Sequence, residues 1–141
     1  MRDEFIKLNY EIKSRDFING GEASSCVKKA LMQLGIKSAI IKRVCVACYE
    51  AEMNVVIHTL GGNMEVIIYN NKVEITMKDQ GPGIGDIDLA MTEGYSTAPD
   101  EAREMGFGGG MGLPNIRKSS DEFYINSVLG EYTLVKIIIN Y

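Results

Sequence analysis

One uninterrupted stretch, residues 38–60, constrains the fold most, because it contains neither glycine nor proline and is followed directly by Gly61-Gly62. Glycine and proline are the residues that most often end a helix. The stretch therefore predicts one long helix from Ser38 to about Leu60. Glu50, Asn54 and His58 follow one another at intervals of four residues, and side chains spaced in this way project from neighbouring turns of one helical face. The helix is thus expected to carry a polar stripe within an otherwise apolar sequence.

A carboxylate and a carboxamide on neighbouring turns can divide the work of an active site. The amide oxygen of Asn54 suits Mg²⁺, a hard ion that prefers oxygen ligands. The carboxylate of Glu50 suits the orientation of a hydroxyl nucleophile and the removal of its proton. The spacing is common in helices, however, and a solvated helix face is the alternative interpretation.

The rest of the chain predicts shorter elements on both sides of this helix. Glycine and proline positions and apolar periodicity indicate these elements. Before the long helix, we expect an opening strand over 4–13 and a helix that is capped by Ser24-Ser25 and runs to about Leu34. After it, we expect strands over 64–69 and 73–77 joined by a turn, a short helix near 88–91, a helix over 113–118 with Pro114 in its first turn, and final strands over 122–128 and 132–140.

Two glycine-rich segments carry the remaining candidate chemistry. Asp79-Gln80-Gly81-Pro82-Gly83 follows a predicted strand. An ionised aspartate can only accept hydrogen bonds and so could receive the amino proton of adenine, while the glycines permit a close backbone approach. The same pattern is also typical of an ordinary turn.

The second segment, residues 106–113, precedes the predicted helix over 113–118. Its backbone amides and the helix N-terminus would form an anion cradle for phosphates. No Gly-Lys-Ser/Thr occurs in the chain, so the segment is not a P-loop, and a dinucleotide fingerprint should follow the first strand of a βαβ unit instead. Residues 81–112, rich in Gly, Ser, Thr and charge, are predicted to form a lid.

Composition narrows the class of protein. A chain of 141 residues with 45% hydrophobic residues is expected to form one domain. Its net charge of −4, without a basic tract, does not favour nucleic acid as a partner. No apolar run approaches the length of a membrane span and no signal peptide is visible, so no membrane association and a cytoplasmic location are expected. Cys45 and Cys48 are interpreted as small buried helix residues, with a metal or redox site as the alternative.

The order of these motifs, a helix with Glu50 and Asn54, then Asp79-x-Gly81-x-Gly83, then a glycine loop that opens a helix, resembles the GHKL (Bergerat-fold) ATPase superfamily. Within it, the segment 49–58 is most similar to the anti-sigma factor serine/threonine kinases of bacterial partner-switching systems. The resemblance covers roughly residues 20–140. It implies a single histidine-kinase-like ATPase domain over 1–141, folded as an α+β two-layer sandwich. The sheet would be mixed and mostly antiparallel, with helices on one face and a mobile ATP lid.

The resemblance also implies residue roles. Glu50 would be the general base and Asn54 the Mg²⁺ ligand, and both would lie beside ATP. The remaining nucleotide contacts implied by the match are Asp79, Gly81 and Gly83 near adenine, Gly108, Gly110, Met111, Gly112 and Leu113 in the phosphate loop, and Thr133 in a late Gly-Thr element.

The implied function is that of an ATP- and Mg²⁺-dependent anti-sigma regulatory factor with serine/threonine kinase activity toward a small antagonist protein. A sigma factor, the antagonist or both would be partners, and a homodimer is possible in this family. Two positions depart from the pattern: Gly108 stands where many of these kinases carry a basic residue, Arg103 being the nearest alternative, and Tyr132 replaces the glycine before Thr133. The alternative function is an ATP-gated protein-binding module with weak or no phosphoryl transfer.

Overall fold

A computed structural model of the chain describes residues 5–81, 83–84, 87–91 and 112–141. The elements in chain order are β1 (Phe5–Ile12), α1 (Glu22–Gln33), α2 (Ser38–His58), β2 (Gly62–Tyr69), β3 (Lys72–Gln80), α3 (Ile87–Ala90), α4 (Gly112–Ser119), β4 (Glu122–Val128) and β5 (Tyr132–Asn140). Most of the predicted lid, residues 81–112, lies outside the described residues.

The five strands form one sheet in the order β1-β2-β3-β5-β4. Each neighbouring pair is antiparallel. The two-layer α+β prediction is confirmed, whereas the expected mixture of strand directions is absent from the described strands. The short turns after β2 and β4 produce hairpins, and a parallel pair would have required a longer crossover.

Alternating side chains of the sheet form one side of the core. Every second residue in the three central strands points toward the helices and is buried, namely Met64, Val66 and Ile68 in β2, Val73, Ile75 and Met77 in β3, and Val135, Ile137 and Ile139 in β5. Helices α1 and α2 cover this face with residues such as Leu31 and Val44, and all of these side chains join one hydrophobic cluster. Period-two burial in the strands follows from the pleat.

Strand β3 is longer than predicted, and this changes the position of Asp79. The sequence placed Asp79 after a strand, but β3 continues to Gln80, with Asp79 paired to Gly62 on one side and to Thr133 on the other. A Cβ atom at Gly62 would lie 2.6 Å from the carbonyl oxygen of Lys78. Glycine at position 62 therefore permits the tight pairing that extends the strand.

The N-terminus of α1 differs from the prediction of a Ser24-Ser25 cap. The helix begins at Glu22, with Gly21 in the capping position at φ 95°. Glu52 of α2, 2% exposed, accepts hydrogen bonds from the amides of Gly21 (3.0 Å), Ala23 (3.3 Å) and Ser24 (3.1 Å) and from the Ser24 hydroxyl (2.7 Å). A carboxylate at a helix N-terminus satisfies the otherwise unpaired amides. A residue distant in sequence thus replaces the local serine cap.

Helix α2 agrees with the prediction to within two residues at its C-terminal end. Cys48 is fully buried in it and Cys45 is half-buried, and burial raises the pKa of both thiols. Within the described ranges, no three His, Cys, Asp or Glu side chains are grouped as a metal site would require. The burial of Cys48 agrees with its interpretation as a small buried helix residue, whereas Cys45 is less buried than expected.

In the part of the chain that the structure describes, no helix combines the length and the apolar content needed to cross a bilayer.

Candidate functional site

The C-terminal half of α2 presents Glu50 and Asn54 side by side. Both side chains are half-buried, and four residues of helix separate their Cα atoms by about 6 Å along the axis. The helix runs without interruption here because its apolar residues, among them Ala51 and Val55, are buried against the sheet. The predicted pairing of a carboxylate with a carboxamide on one helical face is therefore realised.

Gly112, the first residue of α4, lies directly on this pair. A Cβ atom at Gly112 would be 2.9 Å from Asn54 Oδ1 and 3.3 Å from Glu50 Oε2. Both distances are shorter than ordinary van der Waals contact, so only glycine fits without displacing these side chains. The end of the predicted phosphate loop and the N-terminus of α4 thus meet the polar stripe of α2. Leu113, the next residue, packs against the hydrophobic core.

Asn115 joins the site, although the sequence did not indicate it. It follows Gly112 by three residues, so it lies on the same side of α4. The Asn115 side chain hydrogen-bonds Glu50. Burial raises the pKa of Glu50, and this hydrogen bond acts in the opposite direction. The sequence signal that could have indicated Asn115 is its helical spacing from the glycine loop. Its partner Glu50 lies in another helix, so this spacing does not reveal the contact.

Asp79 and Thr133 face each other across β3 and β5. Each is 7% exposed, and the Thr133 amide donates a hydrogen bond to Asp79 Oδ1 at 3.1 Å. Burial raises the pKa of Asp79, while the bond from Thr133 counteracts the increase. The structure therefore brings these two predicted nucleotide contacts together.

The segment after β3 is held by close backbone contacts. A Cβ atom at Gly81 would lie 3.0 Å from Thr59 Cβ, and one at Gly83 would lie 2.5 Å from the Val128 carbonyl oxygen. Gly83 also has φ 71°, which favours glycine. Because Thr59 follows α2 directly, Gly81 lies at the C-terminal end of the helix that carries Glu50 and Asn54.

Ser127 connects three parts of this region and was not predicted. Its Oγ accepts the Ile84 amide at 2.7 Å, donates to the Tyr132 carbonyl at 3.0 Å and lies 2.8 Å from Thr133 Oγ1. The hydroxyl therefore links the segment after β3 to β5. No local motif surrounds Ser127, so only the pairing of β4 with β5 reveals it.

Three predicted contacts, Gly108, Gly110 and Met111, lie outside the described residues, as does Arg103. His58 is half-buried on the last turn of α2, and its pKa is lowered by burial and by the nearby positive charge of Arg15.

The donor set at α2 fits a magnesium nucleotide. Asn54 offers an amide oxygen and Glu50 a carboxylate, the kinds of ligand that a hard cation accepts. Because Gly112 has no side chain, the N-terminus of α4 approaches both groups closely. Asp79 is a buried hydrogen-bond acceptor on β3.

An antiparallel sheet covered by helices on one face, with this glycine contact on α2, is the arrangement of a GHKL ATPase domain. Residues 40–140 match the family described as "Histidine kinase-, DNA gyrase B-, and HSP90-like ATPase", and the chain belongs to that family. The family's description implies that the chain binds ATP.

Curated relatives agree with this assignment. The chain is 34% identical over 110 residues to the serine/threonine-protein kinase RsbT of Bacillus subtilis (strain 168). The aligned region covers 75% of this chain and 77% of that protein. It is 31% identical over 137 residues to the anti-sigma F factor of Thermoanaerobacter sp. (strain X514), which covers 94% of this chain and 90% of the relative. The anti-sigma F factor of Caldanaerobacter subterraneus subsp. tengcongensis is 29% identical over 140 residues, or 96% of this chain and 92% of that protein.

Proposed function

We propose that this chain is an anti-sigma regulatory factor that binds Mg-ATP and phosphorylates a serine or threonine of a small antagonist protein. The observation that carries the proposal is the contact of Gly112 with both Asn54 and Glu50. This contact brings the N-terminus of α4, a candidate phosphate site, close to a candidate cation ligand and a candidate base. The names of the relatives, a serine/threonine kinase and anti-sigma F factors, support this choice among the functions of the family.

In the proposed reaction, Glu50 takes the proton of the serine hydroxyl while that oxygen forms a bond to the γ-phosphorus of ATP. The bond between the γ-phosphorus and the bridging oxygen breaks, and ADP leaves with the electron pair. The raised pKa of Glu50 makes it a stronger base than an ordinary carboxylate. Asn54 would hold Mg²⁺, whose charge offsets the negative charge of the phosphates.

The other proposed contacts follow the same division. Asp79, Gly81, Gly83 and Thr133 would surround adenine, and Gly108, Gly110, Met111, Gly112 and Leu113 would surround the phosphates. Asn115 would hold the carboxylate of Glu50 in place. A sigma factor, the antagonist or both would be the protein partners. We also propose a cytoplasmic location and a homodimer, both supported by the resemblance to anti-sigma kinases. Light scattering at several concentrations would test the dimer.

The test of the kinase proposal is transfer of labelled phosphate from ATP to candidate antagonist proteins. The wild-type chain should label a serine or threonine, and Glu50→Gln should bind ATP with similar affinity but transfer phosphate at least about 100-fold more slowly, because a general base contributes about 10²-fold to 10⁴-fold. Transfer at the wild-type rate by Glu50→Gln would contradict the role of the base.

The alternative, an ATP-gated binding module, is favoured by Gly108 in place of a basic residue. Charge placed against the γ-phosphate contributes about 10³-fold or more to transfer. A protein that binds antagonist only with ATP present, yet labels none, would support the alternative and contradict the kinase proposal.

A further inference from the structure

The contacts around Ser127 and Thr133 fix the direction of both hydroxyl protons. Ser127 Oγ accepts the Ile84 amide proton at 2.7 Å, because an amide can only donate. The Tyr132 carbonyl, 3.0 Å away, can only accept, so Ser127 must give its single proton to that contact. The 2.8 Å contact between Ser127 and Thr133 then needs the proton of Thr133.

This arrangement uses the full capacity of Ser127, which is one donated and two accepted hydrogen bonds. The opposite orientation, with Ser127 donating to Thr133, would leave two oxygen atoms 3.0 Å apart at Tyr132 without a proton between them. Thr133 therefore directs its proton toward Ser127, and only its lone pairs are available to a ligand.

Thr133 and Asp79 consequently offer the same hydrogen-bonding character. The Thr133 amide already occupies Asp79 Oδ1, and an ionised carboxylate has no proton to donate. Both side chains are buried to the same extent. In the proposed nucleotide site, a base beside these two residues would meet acceptors from both.

We propose that Ser127 is a specificity-determining residue, which fixes Thr133 as an acceptor and thereby selects a 6-aminopurine nucleotide over a 6-oxopurine nucleotide. The inference rests on the proposed ATP-binding function and adds to it the origin of base selectivity. Adenine presents amino protons at position 6, whereas hypoxanthine presents an oxygen atom there. Buried groups that cannot pair with a ligand penalise its binding. Ser127 does not touch the base; it acts through Thr133.

The test compares ATP with inosine triphosphate by calorimetry. The wild-type protein should prefer ATP by about tenfold or more. Ser127→Ala leaves the Thr133 proton without its acceptor, so that it can turn toward a 6-oxo group. The preference should then fall about 2-fold to 10-fold, the effect of one net hydrogen bond. Ser127→Thr, which keeps the hydroxyl, should retain the wild-type preference.

Two further variants separate specificity from general support of the fold. In a Thr133→Val background, Ser127→Ala should not change the preference further, since its effect passes through the Thr133 hydroxyl. Asn126→Ala, on the same strand with an exposed side chain, should keep the wild-type preference. Should Ser127→Ala fail to fold, Ser127→Cys, a weak hydrogen-bonding partner, should lower the preference in the same direction.

The inference is overturned if Ser127→Ala changes both affinities equally, if the wild-type protein does not discriminate, or if the effect persists without the Thr133 hydroxyl. An equal loss of preference in Asn126→Ala would also overturn it, because disturbance of β4 would then be the cause. A wild-type protein that binds neither nucleotide contradicts the proposed function itself. A protein that binds ATP but keeps its preference in Ser127→Ala contradicts only the role of Ser127.

Discussion

At the scale of single residues, the half-buried carboxyl of Glu50 links function to stability. Its pKa is raised by burial in the folded protein. Between the ordinary pKa of glutamate, about 4.3, and this higher value, the folded state holds more protons than the unfolded state. Stability therefore falls as the pH rises through that interval. A group suited to accept a proton is thus expected to make the ionised fold less stable.

Glu50→Gln removes this dependence. The free energy of unfolding of the variant, relative to wild type, should increase as the pH is raised from about 4 to about 7, because only the wild-type residue becomes a half-buried charge. Urea unfolding at several pH values measures the difference. A difference that stays constant across this range would contradict the assigned cause.

Glu52, two residues further along α2, has a structural role. It accepts four hydrogen bonds from the N-terminus of α1. Glu52→Ala would leave buried amides without an acceptor, and we expect a loss of about 3 kcal/mol in the free energy of unfolding. Glu11→Ala, at an exposed position of β1, is the matched control and should change stability by less than about 0.5 kcal/mol. Denaturant unfolding that shows equal effects for the two variants would argue against the cap.

Glu50 and Asn54 could be identified from the sequence because both lie on the same helix, four residues apart. Sequence reasoning missed Ser127 because the amide that Ser127 accepts lies 43 residues away. It missed Glu52 for the same reason, since the amides at α1 are 28 to 31 residues distant. Side chains whose roles depend on tertiary contacts leave no local pattern.

At the scale of elements, the approach of α4 to α2 assembles the candidate site. Gly112→Ala would place a methyl group 2.9 Å from Asn54 Oδ1, and the amide at the end of that side chain would have to move. We expect ATP affinity to fall by about tenfold or more, since small displacements at a reacting centre are costly. The melting temperature should change little, because a flexible side chain can yield. Arg117→Ala, exposed on the last turn of α4, is the control and should bind ATP normally.

Most helices and strands could be predicted from the sequence, but two of their boundaries could not. The long helix, the hairpin over β2 and β3 and the late strands were predicted, because their glycine boundaries and apolar periods are local signals. The predicted start of α1 was wrong, because a carboxylate from α2 caps the helix at an earlier residue. The predicted end of β3 was wrong, because the pairing of Asp79 with Gly62 and Thr133 extends the strand. Contacts between elements set these boundaries.

At the scale of the whole molecule, the sheet and helices agree with the family to which residues 40–140 belong. The resemblance, rather than composition, gave this part of the prediction. That residues 1–141 form a single domain remains a prediction, as does the homodimer. The roles of the site residues also remain predictions, including those of Gly108, Gly110 and Met111, which lie outside the described residues.

The central claim is that Asn54 holds Mg²⁺ against ATP in contact with Gly112. Calorimetric titration of ATP with and without Mg²⁺, in wild type and in Asn54→Ala, tests it most directly. Wild type should bind ATP more tightly with Mg²⁺, whereas the variant should lose this dependence and bind at least about tenfold more weakly, since even residues that only support a metal ligand contribute about 10-fold to 100-fold. Equal, Mg²⁺-dependent affinity in the two proteins would contradict the account.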